Sequence, residues 1–467
     1  MRRNQKVTRW RTQIVGVRLR GCDYQRAHEA AHANAAIWNN AVAWVRETWA
    51  EGHEPSVFDI KKYILTLHPH ERPVHTHTAQ EVAFDLADAI STYRANRAQH
   101  RRARAPWRHK SYRPLSFTRN YGWRITPTGR LALSLGHRRA PITITPPVVT
   151  DPTTGRRVDP ALWGEIRLCW DTDDRAWTLH IATPAALPPP LNPARVTAID
   201  EGVINPMTLA TRQDDGSIDI TVINGREARA IKRGRAKTIG KLDRQMSRCA
   251  DGSRQRRRLA NAKKKAKSRA RRQLRDFNHQ VSRAAARHIQ THDTGTIYVG
   301  DVRGIEQRTR QRQRRTTNRS QRQQLSQWER GTHEDHLAYK TGVTLTHINE
   351  SYSSQTCPAC LTRNRPTGRN YQCRTCGFTC HRDAAGAINI LMRAHHGNYT
   401  RIDPDTPIGV TYLRAVPRWS PHQREQHSAR SRATNQATAT SRVTGHSNGS
   451  HATNSHHGTN DHKVTAP

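Results

Sequence analysis

The chain contains no uninterrupted apolar run approaching the ~20 residues that span a bilayer. Its opening stretch, MRRNQKVTRWRTQ, is basic but has no apolar segment of the kind a secretory leader carries. A soluble, cytoplasmic protein without a membrane partner is expected. Acidic residues are scarce, 37 Asp+Glu against 78 Lys+Arg, which leaves a formal net charge of +41. A chain so charged repels itself unless a polyanion neutralises it, so nucleic acid is the expected partner. An anionic membrane is the weaker choice, because no long basic amphipathic helix with bulky apolar anchors stands out. Cysteine is sparse too: of eight, four fall in one short cluster and Cys22, Cys169, Cys249 and Cys380 are scattered. That distribution favours a metal site over a disulfide framework.

With 467 residues the chain has room for two to four domains and a core that needs no disulfides. Residues 23–105 read as a helical domain. Tyr24, Ala27, Ala31, Trp38, Val42, Val45 and Trp49 recur at steps of three and four. A second helix is expected to open at TAQE, where Thr78 and Glu81 fit a capping box, and to carry Val82, Leu86, Ile90 and Tyr93 on one face. From about Pro106 to Pro190 the period changes to two. EIRLCWDTDDRAWTLHIAT reads as a hairpin around an Asp/Thr turn, and RLALSL and PITITP as further short strands. Together with QIVGVRL near the start, these suggest a small β-barrel built from residues 1–22 and 106–193. PAALPPPLNP marks the boundary that follows.

Residues 194–350 read strand, strand, long helices, strand, helix, strand. Between Arg226 and Arg275 there are 21 Lys/Arg and three acids, Glu227, Asp243 and Asp251. A solvated helix face mixes both signs, so contact with a phosphate backbone explains this stretch better. Leu274, Phe277, Val281 and Ile289 follow at core spacing. Beyond Pro421 the only large apolar residues are Val443 and Val464, and a largely disordered tail is expected over 397–467.

CPAC at 357–360 and CRTC at 373–376 place Cys357 and Cys360, then twelve residues, then Cys373 and Cys376. Two such pairs complete a closed tetrahedral site for a structural Zn2+. Cys380 lies outside that register and is read as a packing residue. Two acids stand out in turn. The apolar strand Val196–Ile199 delivers Asp200, and CHRDAAGAINIL opens a helix with Asp383 in its first turn. Strand-terminal aspartates are common in turns, and an acid at a helix start can serve only as a cap. Yet carboxylates at strand ends also suit a two-metal nuclease, in which they converge on cations that clamp a phosphate. The run Ala384, Ala385, Gly386, Ala387 would let that helix pack closely on a sheet.

AIDEGVINPMTLAT, IYVGDVRGI and ESYSSQTCPACLTRNRPTGRNYQCRTCGFTCHRDAAGAINIL, in that order, resemble the three RuvC segments and the zinc ribbon of TnpB, the transposon-encoded RNA-guided nucleases, and of the compact type V CRISPR effectors. The similarity is clear over roughly residues 194–396 and holds only in outline elsewhere. It implies an α/β chain with α and β modules: an RNase H-like RuvC domain (194–350 and 381–396) with an inserted zinc ribbon (351–380). A helical recognition lobe and an oligonucleotide-binding wedge β-barrel would precede it. It also implies a guide and scaffold RNA, double-stranded and single-stranded DNA targets, and two catalytic Mg2+ ions, with base pairing carrying sequence specificity. Asp200 and Asp383 match the first and third catalytic acids.

The chain departs from this pattern at YVGD. The family usually has Glu at the end of the second strand, followed by Asp, whereas this chain has Gly300 followed by Asp301. Three accounts compete. Glu350, at the end of VTLTHINE, would emerge beside the empty position if its strand lies next to that of Gly300, and it is placed first. A dead site comes second. Asp301 comes third, since adjacent strand residues point to opposite faces and a turn aspartate commonly bonds local backbone. Glu306, Glu329 and Glu334 have no such alignment. The leading functional expectation is a metal-dependent, RNA-guided DNA endonuclease, with Asp200, Glu350 and Asp383 holding Mg2+ and a short flanking motif read by the protein. The alternative is a nuclease-inactive, guide-dependent repressor. A transposase performing strand transfer alone is disfavoured, and monomer and dimer both remain open. Tyr121, Trp123 and Tyr352 are candidates for base stacking or for core packing.

Overall fold

The computed structural model describes residues 9–67, 74–99, 103–151, 155–185, 188–303, 319–366, 368–403 and 405–415. Glu306 and the low-complexity stretch beyond Pro421 lie outside the described residues. The N-terminal half opens with strand β1 (Arg9–Val17) and helices α1 (Gly21–Ala50), α2 (Val57–Thr66) and α3 (Thr76–Ala98). The periodic residues Ala27, Ala31, Trp38, Val42 and Val45 are buried along α1, as their spacing requires.

The capping box expected at Thr78 is not there. Helix α3 begins two residues earlier, with the His75 ring accepting from the His77 N–H at 3.2 Å. Thr78 is buried and donates its hydroxyl to the Ser116 carbonyl at 2.6 Å, so a tertiary partner has claimed the side chain. A reciprocal capping box does form at the start of α2. There the Ser56 hydroxyl accepts from the Asp59 N–H and the Asp59 carboxylate accepts from the Ser56 N–H.

Strands β2 (Leu115–Phe117), β3 (Trp123–Ile125), β4 (Leu131–Leu133), β5 (Ile142–Ile144), β6 (Ile166–Asp171) and β7 (Ala176–Ala185) follow. They hydrogen-bond as two sheets, β1-β7-β6-β2 and β3-β4-β5, rather than as one closed cylinder. β6 and β7 form the expected hairpin, paired from Ile166↔Ile181 to Asp171↔Ala176, and β1 pairs with β7 along its whole length. Both sheets share one apolar core with α1–α3, centred on Trp38, Phe117, Trp163 and Leu179.

The C-terminal half is built on strands β8 (Asn192–Asp200), β9 (Met207–Arg212) and β10 (Ile218–Asn224), then helices α4 (Arg226–Met246) and α5 (Arg254–Thr291). Next come β11 (Thr294–Gly300), α6 (Arg319–Ser326), α7 (Arg330–Thr341), β12 (Leu345–Ile348), β13 (Asn370–Gln372), β14 (Thr379–His381), α8 (Arg382–His396) and β15 (Ile408–Arg414). One six-stranded sheet runs β12-β11-β8-β9-β10-β15, so the strand carrying Gly300 does lie between those of Asp200 and Glu350.

Two strands of that sheet were not anticipated. β10 was passed over between the second strand and the helices. β15 falls inside the stretch expected to be tail, so the boundary at residue 397 is corrected to beyond residue 414. β15 lies parallel to β10 from Ile218↔Ile408 to Asn224↔Arg414, and Ile408 and Val410 reach the core. Its order comes from a distant backbone partner, which local composition does not reveal.

The two faces of the sheet differ. Helix α8 covers one with Ala384, Ala387, Ile388 and Leu391 against Ala198, Ala210, Ile220 and Val222. Helix α5 covers the other, where the buried His288 ring bridges the Thr211 and Thr221 hydroxyls at 2.9 Å each. The basic residues of α4 and α5 are mostly exposed, with a few pinned to acids. Arg271 meets Asp171 at 2.9 Å and Arg272 pairs with Asp174, which ties α5 to the acidic turn of the β6–β7 hairpin. No described helix is long and apolar enough to cross a membrane.

Candidate functional site

Strand alternation decides which acids meet. Ala198 packs toward α8, so Asp200, two residues on, ends β8 on the same face. Gly300 ends β11 in register with Ile348 of β12, and Ile348 also packs toward α8. Glu350, two residues beyond Ile348, therefore emerges on that face beside Gly300. Asp383 arrives from the first turn of α8 itself. Asp200, Glu350 and Asp383 thus face one another at one end of the sheet.

Gly300 is where the geometry is most specific. A Cβ built on it would collide with Oε2 of Glu350 and come within 2.9 Å of Ile390 Cδ1. The Glu350 side chain occupies the space that a side chain at position 300 would fill. Its Oε2 is buried with no hydrogen-bond partner among the described residues. Burial, and then the charge of Asp301, push the Glu350 carboxyl up to about 7, while Arg330 acts the other way.

A similar close approach occurs at Gly386 of α8, where an added Cβ would lie 2.7 Å from Asp200 Oδ2. The small-residue run expected to allow close packing does so directly over this carboxylate. Asp200 is raised well above the usual carboxylate range by burial and then by the charges of Glu350 and Asp383, against the pull of Arg382 and Arg369. Asp383 is held more firmly. Buried Asn205, from the loop after β8, donates to Oδ2 at 2.8 Å, and Arg369 from the approach to β13 reaches it at 3.1 Å.

Asp301 points elsewhere. Its carboxylate accepts from the Arg303 backbone N–H at 2.9 Å and from the Arg303 side chain at 2.7 and 2.8 Å. Those bonds hold it down at about 2, although slight burial opposes them. This is the arrangement of a local turn aspartate. Glu334 sits on the other side of the sheet, hydrogen-bonded to His347 at 3.1 Å, and Glu329 pairs with Lys232 at 3.6 Å.

Sequence reasoning passed over Glu201. It is 5% exposed, and burial, then the neighbouring Glu334 carboxyl, raises it well above its usual range. Its adjacency to Asp200 was visible. That same adjacency turns it to the opposite face, so it supports the strand end from behind.

The four sulfurs of Cys357, Cys360, Cys373 and Cys376 all lie within 4.8 Å of one another. Tight turns bring them together: Leu361 donates its N–H to the Cys357 carbonyl at 2.9 Å, and Gly377, at φ +75°, donates to that of Cys373 at 3.1 Å. Burial opposes ionisation of Cys373, but the N–H groups of Cys376 and Thr375 outweigh it and bring the thiol down to about 6. Cys357, by contrast, is pushed up to about 12 by burial, and it is the soft sulfurs and their convergence that fit a structural Zn2+. Cys380 stays outside the group, packed against it and pushed up to about 12 by burial.

Among the described residues, the cysteines are the only such group drawn this close, so the oxygens of Asp200, Glu350 and Asp383 do not all lie within that distance. They still fit a hard divalent cation in kind. They are oxygen donors, two of them have raised pKa values, and one has a buried orphan oxygen.

The fold and these groups define a mixed α/β sheet protein that gathers acids at one sheet end, with a four-cysteine ribbon leading into the helix that completes them. A family model described as Cas12f1-like, TNB domain matches residues 335–390, and OrfB_IS605, described as probable transposase, matches residues 171–306. Among solved structures, a cryo-EM structure of the Cas12f1–sgRNA–target DNA complex matches 78% of this chain and 81% of its own at 11% identity, with a TM-score of 0.55. A CRISPR-Cas12f ternary complex covers 82% of both chains at 12% identity and TM-score 0.33. CasPhi-2 (Cas12j) bound to crRNA covers 84% and 99% at 11% identity and TM-score 0.42. No curated protein matches the chain. The fold resembles that of Cas12f effectors, and with the two family models this bears out the resemblance to TnpB and the compact type V effectors.

Proposed function

We propose that the chain is an RNA-guided DNA endonuclease whose RuvC-type site uses Asp200, Glu350 and Asp383. The observation that carries this is the Glu350 side chain lying over the Cα of Gly300, with its buried Oε2 unpartnered. The carboxylate missing from one strand is supplied by its neighbour. Bound Mg2+ supplies neutralisation of the scissile phosphate and activation of water. The chain's own groups prepare for this. Asn205 fixes Asp383, and Gly386 admits α8 close to Asp200. The apolar residues of α8 seal the face beneath the acids.

Arg369, 3.1 Å from Asp383, also stands where a phosphate would meet it, and exchanging a carboxylate for a phosphate costs an arginine little. The exposed cations of α4 and α5 match the backbone of a guide duplex. The similar Cas12f1 structure is a complex with sgRNA and target DNA, which supports RNA and DNA as partners here.

A guide-dependent repressor is the second reading, favoured by one observation: the three acids are less tightly gathered than the cysteines. The deciding experiment loads the chain with its RNA, reprograms the guide, and challenges it with a plasmid library of random bases beside the target in the presence of Mg2+. Linear product from the unmutated chain, lost in Asp200→Ala, supports the endonuclease. Guided binding without product supports the repressor.

A further inference from the structure

A cavity of about 230 Å3 lies between α4, α5 and the segment joining α6 to α7, floored by Gly202, Val203 and Pro206 of the loop after β8. The function proposed above makes no use of it. Its volume is below the ~300–1,000 Å3 of pockets for drug-sized ligands, so it suits one small flat group. Ala228, Phe277 and Trp328 give it apolar walls. Two polar atoms in its lining lack partners among the described residues. His333 is 3% exposed, with Nε2 bonded to Asn278 at 3.0 Å and Nδ1 free, and Trp328 Nε1 is buried and unpaired.

The rim is cationic. Lys232 is already paired with Glu329, but Arg229, Arg233 and Lys237 form no ion pair among the described residues. Burial, then the charges of Arg233, Arg369 and Arg226, disfavours the charge on Arg229 against the pull of Glu227, and an anion there would relieve it. Arg369 in turn contacts Asp383, and the floor loop supplies Asn205 to the same acid. Arg229 on the rim thus lies within electrostatic reach of Arg369, the partner of Asp383.

We propose that this cavity receives one unstacked nucleobase of the DNA strand led to the Asp200 site, with its phosphates on Arg229, Arg233 and Lys237. Apolar and aromatic walls and a cationic rim are the features by which proteins hold an extruded base. The inference rests on the nuclease reading for its choice of strand, but its test does not depend on cutting.

The test measures binding of fluorescein-labelled single-stranded DNA to the full chain, using one sequence with intact bases and the same backbone with abasic sites. RNA of that sequence is run in parallel. Ala236→Trp plugs the mouth from an exposed helix position, so the fold is not at stake. The unmutated chain should prefer intact DNA about tenfold, a stacking effect of ordinary size. Ala236→Trp should abolish that preference, whereas Arg233→Ala/Lys237→Ala should weaken both DNA probes and flatten the salt dependence. Equal affinity for intact and abasic DNA, a preference that survives Ala236→Trp, or a preference confined to RNA would overturn the proposal. A plug-sensitive preference in a chain that never cuts would uphold the pocket and defeat the nuclease reading alone.

Discussion

The cysteine cluster and the carboxylate cluster meet at α8, yet they are assembled differently. The four sulfurs converge within 4.8 Å with no ion between them, whereas the three acids face one another at longer range. Thiols are neutral when protonated and pack like small apolar groups, so turns can bring four together at little cost. Carboxylates repel. Burial, then the charges of Glu350 and Asp383, raises Asp200; burial, then Asp301, raises Glu350; and Asp383 leans on Asn205 and Arg369. A closed thiol site can be preformed by the chain, while a cluster of carboxylates stays splayed.

The largest effects should come from the splayed site. Replacing Asp200 by alanine should slow cleavage about a thousandfold or more, since it removes a group worth several kcal/mol to a phosphoryl transition state. Single-turnover cleavage rates would show this, and guided DNA binding should persist. At the closed site, chelation at neutral pH, or Cys373→Ser, should release about one Zn2+ per chain and open the ribbon. Metal analysis together with protease sensitivity near residues 351–380 would detect it. A ribbon that resists proteolysis without metal would show that its packing around Tyr371 suffices.

Acid should act on the far face of the sheet. His288 is brought down to about 3 by burial and then by His292, and His333 to about 3 by burial and then by Lys232. An unfolded histidine titrates near 6.5. Below that value the unfolded chain binds the protons that the folded one refuses, so the contribution of these rings is present above about 6.5 and is lost as pH falls toward about 3. Denaturation midpoints should drop through that window, and His288→Asn should flatten the slope.

The smallest effects separate two glycines. Gly386→Ala would press a methyl against Asp200 and should cost about 1–3 kcal/mol. Gly240→Ala, in the interior of α4 with nothing within 4 Å, should stabilise by about 0.5–1 kcal/mol. Denaturant unfolding would give both signs.

What could be read from the sequence follows the same division. The cysteine spacing alone identified the group that converges, because two short turns determine it. Asp200 and Asp383 stood out from a strand end and a helix start, and the resemblance gave them their roles. Glu350 came from an argument about strand order, which the sheet β12-β11-β8 matches. Glu201 was missed because its burial is created by α7, which lies far along the chain. β15 was missed because its order depends on pairing with β10, and the Thr78 hydroxyl went to Ser116 rather than to a cap. In each case a long-range partner overrode a local signal.

The central claim is that Glu350 stands in for the carboxylate missing at Gly300. It is tested most directly by comparing guided cleavage rates of the unmutated chain, Glu350→Ala and Gly300→Glu/Glu350→Ala, with Mg2+. The second substitution removes the side chain that a residue at 300 would strike. The account predicts that cleavage collapses in the single variant and recovers in the double. Full cleavage by Glu350→Ala would contradict it.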